Sequence, residues 1–363
     1  MIYVNYISGK MTPNTDFFGI SRYQSEIHKR LKEKVYLNWI YLNRPTFGFL
    51  DYYFTYPLII KLKLNKEKVT HLPNPWYSHI LNLIKLEKTI ITLYDLEPSI
   101  ILGKYKNALH WSFCLKGIKK ANKIITLSEF AKREIIQFLG YEYPQENIEV
   151  VHEGVDMNKF RKLSDDILLK FRKKMNLDEN VRVLLFVGSE QPRKNFKTVL
   201  YSLYKLKKAC NQSLKLIKVG NPESRIYREK SLNIIKDLGL EKEVVFIPYV
   251  SDEDLVLYYN ISDCLILPTL YEGGFALPIL EAFACKVPVI TSKIEPLLEL
   301  TEGKGAIFVD PTNVDQIKNV VLDLLSGRID VKKITSEGFL IAKRYNWDKS
   351  AEKFYKIYNE LNN

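Results

Sequence analysis

Residues 261–300 read ISDCLILPTLYEGGFALPILEAFACKVPVITSKIEPLLEL. The run CLILP at 264–268 is short and apolar, which predicts a buried parallel strand. Gly273 and Gly274 mark a turn after it. Pro278 stands where a first helical turn would begin, a position where its missing N–H costs nothing. The pattern then predicts a helix over 279–285 and a second buried strand over 287–291. A strand, a glycine turn, a helix and a strand in this order specify an α/β unit. Two acids, Glu272 and Glu281, flank the turn.

The same turn has the makings of an anion site. Glycine lets a backbone approach a ligand closely. The helix behind it offers unpaired N–H groups and the positive end of its dipole. A phosphate held there would leave Glu272 and Glu281 beside whatever it carries, and carboxylates accept several hydrogen bonds from sugar hydroxyls. A plain helix start, with acids that only complement the dipole, fits these residues as well.

Outward from this stretch the pattern repeats. Apolar runs predict strands at 181–187, 214–219, 244–247, 263–267, 287–291 and 306–309, with helical periodicity between them. Over 195–209, Phe196, Val199, Leu200, Leu203 and Leu206 share one face. Such alternation predicts a parallel sheet covered on both sides. No G-x-G-x-x-G is present, which speaks against a dinucleotide dehydrogenase. LLFVGSEQPRKNF at 184–196 places Arg193 and Lys194 in a loop after a strand, where they either neutralise an anion or are simply solvated.

YEGGFALPILEAFACKVPVI at 271–290 resembles the donor-site signature of the family-4 glycosyltransferases (glycosyl transferases group 1). These are retaining enzymes of the GT-B fold that use nucleotide-sugar donors. Their usual pattern separates two Glu residues by seven positions, whereas eight separate Glu272 from Glu281, so one glycine is extra. The usual Gly after the helix is Lys286 here. Either the helix ends differently, or a non-glycine left-handed residue is tolerated at a cost of roughly 1–2 kcal/mol. The 184–196 run is similar to the family's strand ending in Val-Gly with Arg-Lys-Asn downstream. GLEKEVVFIPYVSDEDLVLYYNISDC at 239–264 and IEPLLELTEGKGAIFVDP at 294–311 follow the family as well.

The resemblance implies two Rossmann-like parallel-sheet domains facing a cleft. Residues 1–160 would form the acceptor side and 161–340 the donor side, with 341–363 as a helix returning to the first domain. It implies that Glu272 faces the transferred sugar and Glu281 the ribose. Arg193 and Lys194 would neutralise the diphosphate, and Gly188, Ser189, Gly273, Gly274, Phe275, Ala276 and Leu277 would also bind the donor, with Tyr249 and Val250 beside the base. No metal cofactor is then expected, because the cations and the helix N-terminus can stabilise a departing diphosphate.

Before residue 160 the resemblance is weaker. FGISRYQSEIHKRL at 18–31 is amphipathic through Ile20, Tyr23, Ile27 and Leu31, entered from a loop over 12–18. The family has a similar Gly-Ile-x-Arg-Tyr run, which makes Gly19 a phosphate or acceptor contact, or a simple strand–helix turn. TIITLYDLEPSI at 89–100 is similar to the family strand ending in His-Asp. The His is Tyr94 here, and Asp95 is kept; both are expected at the reacting sugar. Ser128, before Phe130, Ile135 and Phe138, reads as a helix N-cap. IEVVHEGVD at 148–156 resembles the family's last strand of the first domain and the Gly-Val-Asp tail that follows it before the boundary. The aromatic stretch 35–60 is expected to be mostly core, with any surplus free to dock a lipid or partner.

Composition bounds the rest. The 363 residues, 46% hydrophobic, suffice for two domains. Cys114, Cys210, Cys264 and Cys285 lack C-x-x-C spacing, which predicts reduced thiols, a cytoplasmic protein and no structural zinc. MIYVNYISGK lacks the charged and apolar regions of a signal peptide, and no run reaches the roughly 18 apolar residues of a span. The net charge of +12 is spread along the chain without a nucleic-acid motif. It suits peripheral contact with an anionic membrane at its inner face, and no specific nucleic acid. The expected partners are a nucleoside-diphosphate sugar of hexose type and a glycan, lipid-linked or small acceptor. A nucleotide-sugar epimerase, an inactive nucleotide-sugar binder and a basic nucleic-acid binder remain the alternatives.

Overall fold

The computed structural model describes residues 1–9, 19–43, 46–96, 108–140 and 143–363. The loop expected over 12–18 lies outside them. The chain divides into two compact units. The first holds Met1–Glu153, Gly273–Phe275 and Trp347–Asn363, and the second holds Gly154–Glu272 and Ala276–Asn346.

In the first unit six strands form one sheet: β1 (Ile2–Gly9), β2 (Val35–Leu42), β3 (Val69–Leu72), β4 (Thr89–Thr92), β5 (Lys123–Thr126) and β6 (Ile148–Val150). All pairings are parallel, in the order β2-β1-β3-β4-β5-β6. β3 and β4 are buried along their whole length, as strands covered on both faces must be. Their polar residues therefore need partners inside. His71 lies 2.7 Å from the Tyr358 hydroxyl through Nδ1 and 2.8 Å from Thr92 Oγ1 through Nε2. Burial drives the His71 pKa far below the ordinary histidine range. Tyr358 belongs to the closing helix Trp347–Asn362. The helix Gly19–Leu31 buries Tyr23, Ile27 and Leu31, as its periodicity predicts.

The strand of 148–156 is Ile148–Val150, and the rest of that stretch is the tail. Two local expectations change. The helix Glu129–Leu139 is capped by Ser128, whose side chain accepts from Ala131 N, but its buried face is Ala131, Ile135 and Leu139. Phe138 falls off that stripe and is exposed. The stretch 35–60 is less buried than its composition suggests. Val35, Ile40, Leu42, Tyr56 and Ile60 enter the core, while Tyr36, Tyr41, Phe47, Phe49, Leu50, Phe54 and Leu58 stay exposed. Hydrophobicity does not decide burial here. β2 is an edge strand, and the turn and helix after it turn only one face inward.

The second unit has the sheet β7 (Arg182–Val187), β8 (Leu214–Val219), β9 (Val244–Ile247), β10 (Cys264–Leu267), β11 (Val289–Ser292) and β12 (Ile307–Val309). It too is all parallel, ordered β12-β11-β10-β7-β8-β9. This is the Rossmann order, in which the chain leaves β7 towards one edge and returns on its other side with β10. The helix Phe196–Ala209 buries all five residues of its predicted face. The helix after the glycine turn runs Leu277–Ala284, two residues earlier than its pattern suggests, so Pro278 is its second residue. Lys286 does take the left-handed conformation, with φ of 56°. Lys286 N donates to Phe283 O and Val287 N to Ala282 O, which closes the helix end in the manner usual for glycine. Its ammonium sits 4.8 Å from the Phe339 ring centre.

Candidate functional site

In open parallel sheets, ligands bind beyond the carboxyl ends of the strands, where the strand order reverses. In the second unit that place lies between β7 and β10. β7 is followed by Gly188, whose φ of 147° favours glycine. Gly220 follows β8 with a φ of 117°, and a Cβ there would lie 3.0 Å from the Gly188 carbonyl oxygen. The two strand ends therefore meet through bare backbone.

The turn Pro192–Lys194 carries Arg193 and Lys194. Asn195, at φ 57°, ends it in the left-handed region that asparagine tolerates. The Asn195 side-chain amide donates to the carbonyls of Pro268, at 2.9 Å, and Pro311, at 2.7 Å. Leu270 N donates to Arg193 O at 2.7 Å, and the Thr269 hydroxyl lies 2.9 Å from the same oxygen. These bonds tie the turn after β7 to the segment after β10.

The result is an ion cluster on Glu272. Lys194 Nζ lies 2.6 Å from Glu272 Oε2, and Arg193 Nη1 lies 3.4 Å from Oε1. Glu272 is buried. Burial alone would raise its pKa, but Lys194 and then Arg193 outweigh that and hold it below the usual carboxylate value. Two cations on one carboxylate leave a surplus positive charge.

Glu281 is also buried, one turn into the helix Leu277–Ala284. Tyr259 donates its hydroxyl to Glu281 Oε2 at 2.6 Å. No side chain caps this helix at Ala276. Ser189 is half-buried and Tyr249 exposed, and Val250 follows Tyr249 beyond β9. Beside Ser189 lies a second ion cluster. Glu190 Oε1 is 3.1 Å from Lys218 Nζ and 2.6 Å from Arg228 Nη2, and the side chains of Glu190 and Lys218 are wholly buried. Burial lowers Lys218 to about 8, against the opposing pull of Glu190.

The remaining predicted residues fall in the first unit. Tyr94 follows β4, is buried, and accepts a bond from Gln24 Nε2 at 3.2 Å. Burial pushes its phenol above the ordinary range, so it can hydrogen-bond but cannot serve as an acid or base near neutral pH. A Cβ on Gly273 would lie 2.0 Å from Asp95 Cβ, and one on Gly274 would lie 3.0 Å from Leu127 Cδ1. The Ser128 hydroxyl donates to Gly273 O at 3.0 Å. The glycine pair, read in the sequence as room for a ligand, makes room for these side chains. Phe275 lies 4.9 Å from the His152 ring. Gly19 opens its helix, and a Cβ there would meet nothing within 4 Å.

The sequence patterns did not single out Tyr259, Asn195, Thr269 or the Glu190–Lys218–Arg228 cluster. Asn195 had a signal: an Asn between a basic pair and a helical run suits a left-handed entry. Lys218 had none, because a lysine near a strand end reads as solvated.

Residues 169–339 match the family model described as glycosyl transferases group 1. Over those residues the chain is similar to the glycosyl transferases group 1. The chain is 27% identical over 305 residues to O-antigen chain mannosyltransferase B of Escherichia coli, across 82% of its own length and 75% of the relative's. It is 29% identical over 227 residues to the O-antigen chain mannosyltransferase RfbU of Salmonella typhimurium, across 62% of its length and 58% of the relative's. Its fold is similar to that of Anabaena Alr3699/HepE in complex with UDP and glucose. That match has a TM-score of 0.81 at 17% identity and covers 98% and 99% of the two chains. The expected GT-B fold, with two parallel α/β sheets, is borne out.

Proposed function

We propose that this protein is a glycosyltransferase that moves a hexose from a nucleoside diphosphate to a glycan or lipid-linked acceptor, with retention of configuration. The observation that carries this reading is the Glu272–Lys194–Arg193 cluster at the strand-order reversal of the second unit. A diphosphate needs at least two positive groups as its bond to the sugar breaks, and stabilisation of that growing charge is usually the largest catalytic contribution. Arg193 and Lys194 supply them without calling on a metal. Glu272, already ionised, favours the positive character that the sugar gains at the same moment. Glu281, held by Tyr259, is placed to accept the hydroxyls of the ribose.

The relatives named as O-antigen mannosyltransferases, and the neighbour that holds UDP and glucose, support a nucleotide-activated hexose and a bacterial surface glycan as acceptor. Among the described residues no helix is long and apolar enough to cross a membrane. Phe54, Leu58 and Leu62 recur every fourth residue and are exposed, with Phe49 beside Phe54 and Lys61 and Lys63 nearby. This patch suits reversible contact with an anionic membrane that carries the acceptor.

A donor screen tests the reading. Uridine, guanosine and adenosine diphosphate sugars are added in turn and thermal unfolding is followed. A ligand at 100 times its Kd adds about 2.7 kcal/mol, a clear shift. The stabilising donor should then release its nucleoside diphosphate only when an acceptor glycan is supplied, and NMR of the product should show the donor's anomeric configuration. Absence of stabilisation by every donor, or an inverted product, refutes the proposal.

A further inference from the structure

Far along the chain from the donor cluster, the helix Ala108–Ile118 packs on the short 3-10 segment Pro75–Asn82 within the first unit. Gly117 permits the approach, since a Cβ there would lie 1.9 Å from the Ser78 carbonyl oxygen. His110 and Cys114 are four residues apart on that helix and so share a face. That face meets the Trp76 carbonyl oxygen, which lies 3.2 Å from His110 Nε2 and 3.3 Å from Cys114 Sγ. His79 brings Nδ1 to 3.1 Å from the same oxygen. His110 Nε2 and Cys114 Sγ are 3.5 Å apart. One ligand atom each from His79, His110 and Cys114 lies within 4.8 Å of the others.

Four of the six separations match a coordination shell. A tetrahedral zinc ion with ordinary bonds to nitrogen, oxygen and sulfur has ligand-to-ligand edges of about 3.3–3.6 Å. The distances of 3.1, 3.2, 3.3 and 3.5 Å lie close to that, and the ligand atom of His79 lies within 4.8 Å of those of His110 and Cys114, close enough for a small side-chain shift to complete the shell.

Hydrogen bonding alone leaves the cluster unsatisfied. A neutral imidazole has one N–H. His79 aims Nδ1 at the Trp76 carbonyl and Nε2 at the Tyr52 carbonyl, 3.0 Å away. If Nε2–H donates to Tyr52, the Nδ1 lone pair faces the lone pairs of the Trp76 oxygen. A cation between them converts that repulsion into two bonds. His110 is already oriented by the Tyr53 hydroxyl, 3.1 Å from its Nδ1, as outer partners orient metal-bound imidazoles.

We propose that His79 Nδ1, His110 Nε2, Cys114 Sγ and the Trp76 carbonyl oxygen bind one zinc ion, which fastens the helix to the 3-10 segment. Binding forms a zinc–sulfur bond and releases the Cys114 thiol proton to solvent. Two imidazoles and a thiolate also suit copper. A blue-copper site would hold the carbonyl as a remote axial ligand, whereas the Trp76 oxygen is as near to the three donors as two of them are to each other. Sequence spacing does not announce the site, because His79 precedes His110 by 31 residues and the fourth ligand is backbone.

The test uses the full chain, stripped with a chelator and titrated with Co²⁺. One equivalent should bind per chain, with the visible bands of four-coordinate cobalt and a thiolate charge-transfer band, and Zn²⁺ should displace it. Cys114→Ser should remove the charge-transfer band. It should also weaken Zn²⁺ binding by more than about 100-fold, beyond the 10–100-fold typical of outer partners. Cys210→Ser should change neither. His110→Gln provides a second variant if Cys114→Ser does not fold. Failure of the wild-type chain to bind Co²⁺ stoichiometrically overturns the proposal. So does binding that persists in both ligand variants, or a copper complex that Zn²⁺ cannot displace.

Discussion

The two units solve the same problem, polar groups at the ends of buried parallel strands, in opposite ways. In the second unit the buried polar set includes Glu190, Lys218, Glu272 and Glu281, and three of these four belong to ion clusters. In the first unit, among the described residues, it is made of amides, hydroxyls and imidazoles such as Asn5, Gln24, Thr70, His71 and Thr92, with Glu153 the one carboxylate. Burying a charge is costly unless it is paired, so a fold keeps such groups where their charge is used. On the proposed function, the second unit keeps its cations for an anionic ligand. The first keeps neutral hydrogen-bonders, which pair with one another inside the sheet.

The strongest way to break this comparison is Lys194→Ala. If the cluster serves a departing diphosphate, kcat should fall roughly 100- to 1000-fold, the usual cost of about 2.7–4 kcal/mol for one preorganised donor. Nucleoside diphosphate affinity, read by calorimetry, should fall as well. Unchanged affinity and turnover would make the cluster a structural ion pair.

Glu281→Ala sharpens the contrast within the second unit. Ribose is remote from the breaking bond, so its contacts are equal in ground and transition states. The donor KM should rise about 10-fold, for roughly 1.5 kcal/mol of lost charged hydrogen bonding, with kcat nearly constant. Tyr259→Phe should shift KM the same way by less. A fall in kcat at constant KM would place Glu281 at the reacting sugar instead.

The smallest effect is expected in the first unit. Tyr94→Phe removes the acceptor for Gln24 and should cost about 1 kcal/mol of stability by thermal unfolding. The pH profile of turnover should keep its shape, because a buried phenol does not titrate there. A turnover loss beyond about 10-fold, or 1.4 kcal/mol, would put Tyr94 in the chemistry and erase the contrast between the units.

Sequence by itself determined the second unit almost completely. Its strands are continuous apolar runs, its helices carry a 3.6-residue stripe, and the turn residues 192–195 punctuate them. Those are local properties, fixed by backbone geometry and by the need to cover both faces of a parallel sheet. It also named Glu272, Arg193 and Lys194, though not that the three share one ion cluster. That pairing depends on β10 returning beside β7 and on Asn195 and Thr269 joining the two strand ends. Only the tertiary structure could decide which aromatic residues of 35–60 are buried, since an edge strand and a surface helix leave half their apolar groups to solvent. Only it could bring His79, His110, Cys114 and the Trp76 carbonyl together, or sink Lys218 into a sheet. Such groupings join residues distant in the chain, and no local periodicity encodes a contact whose partners lie on different elements.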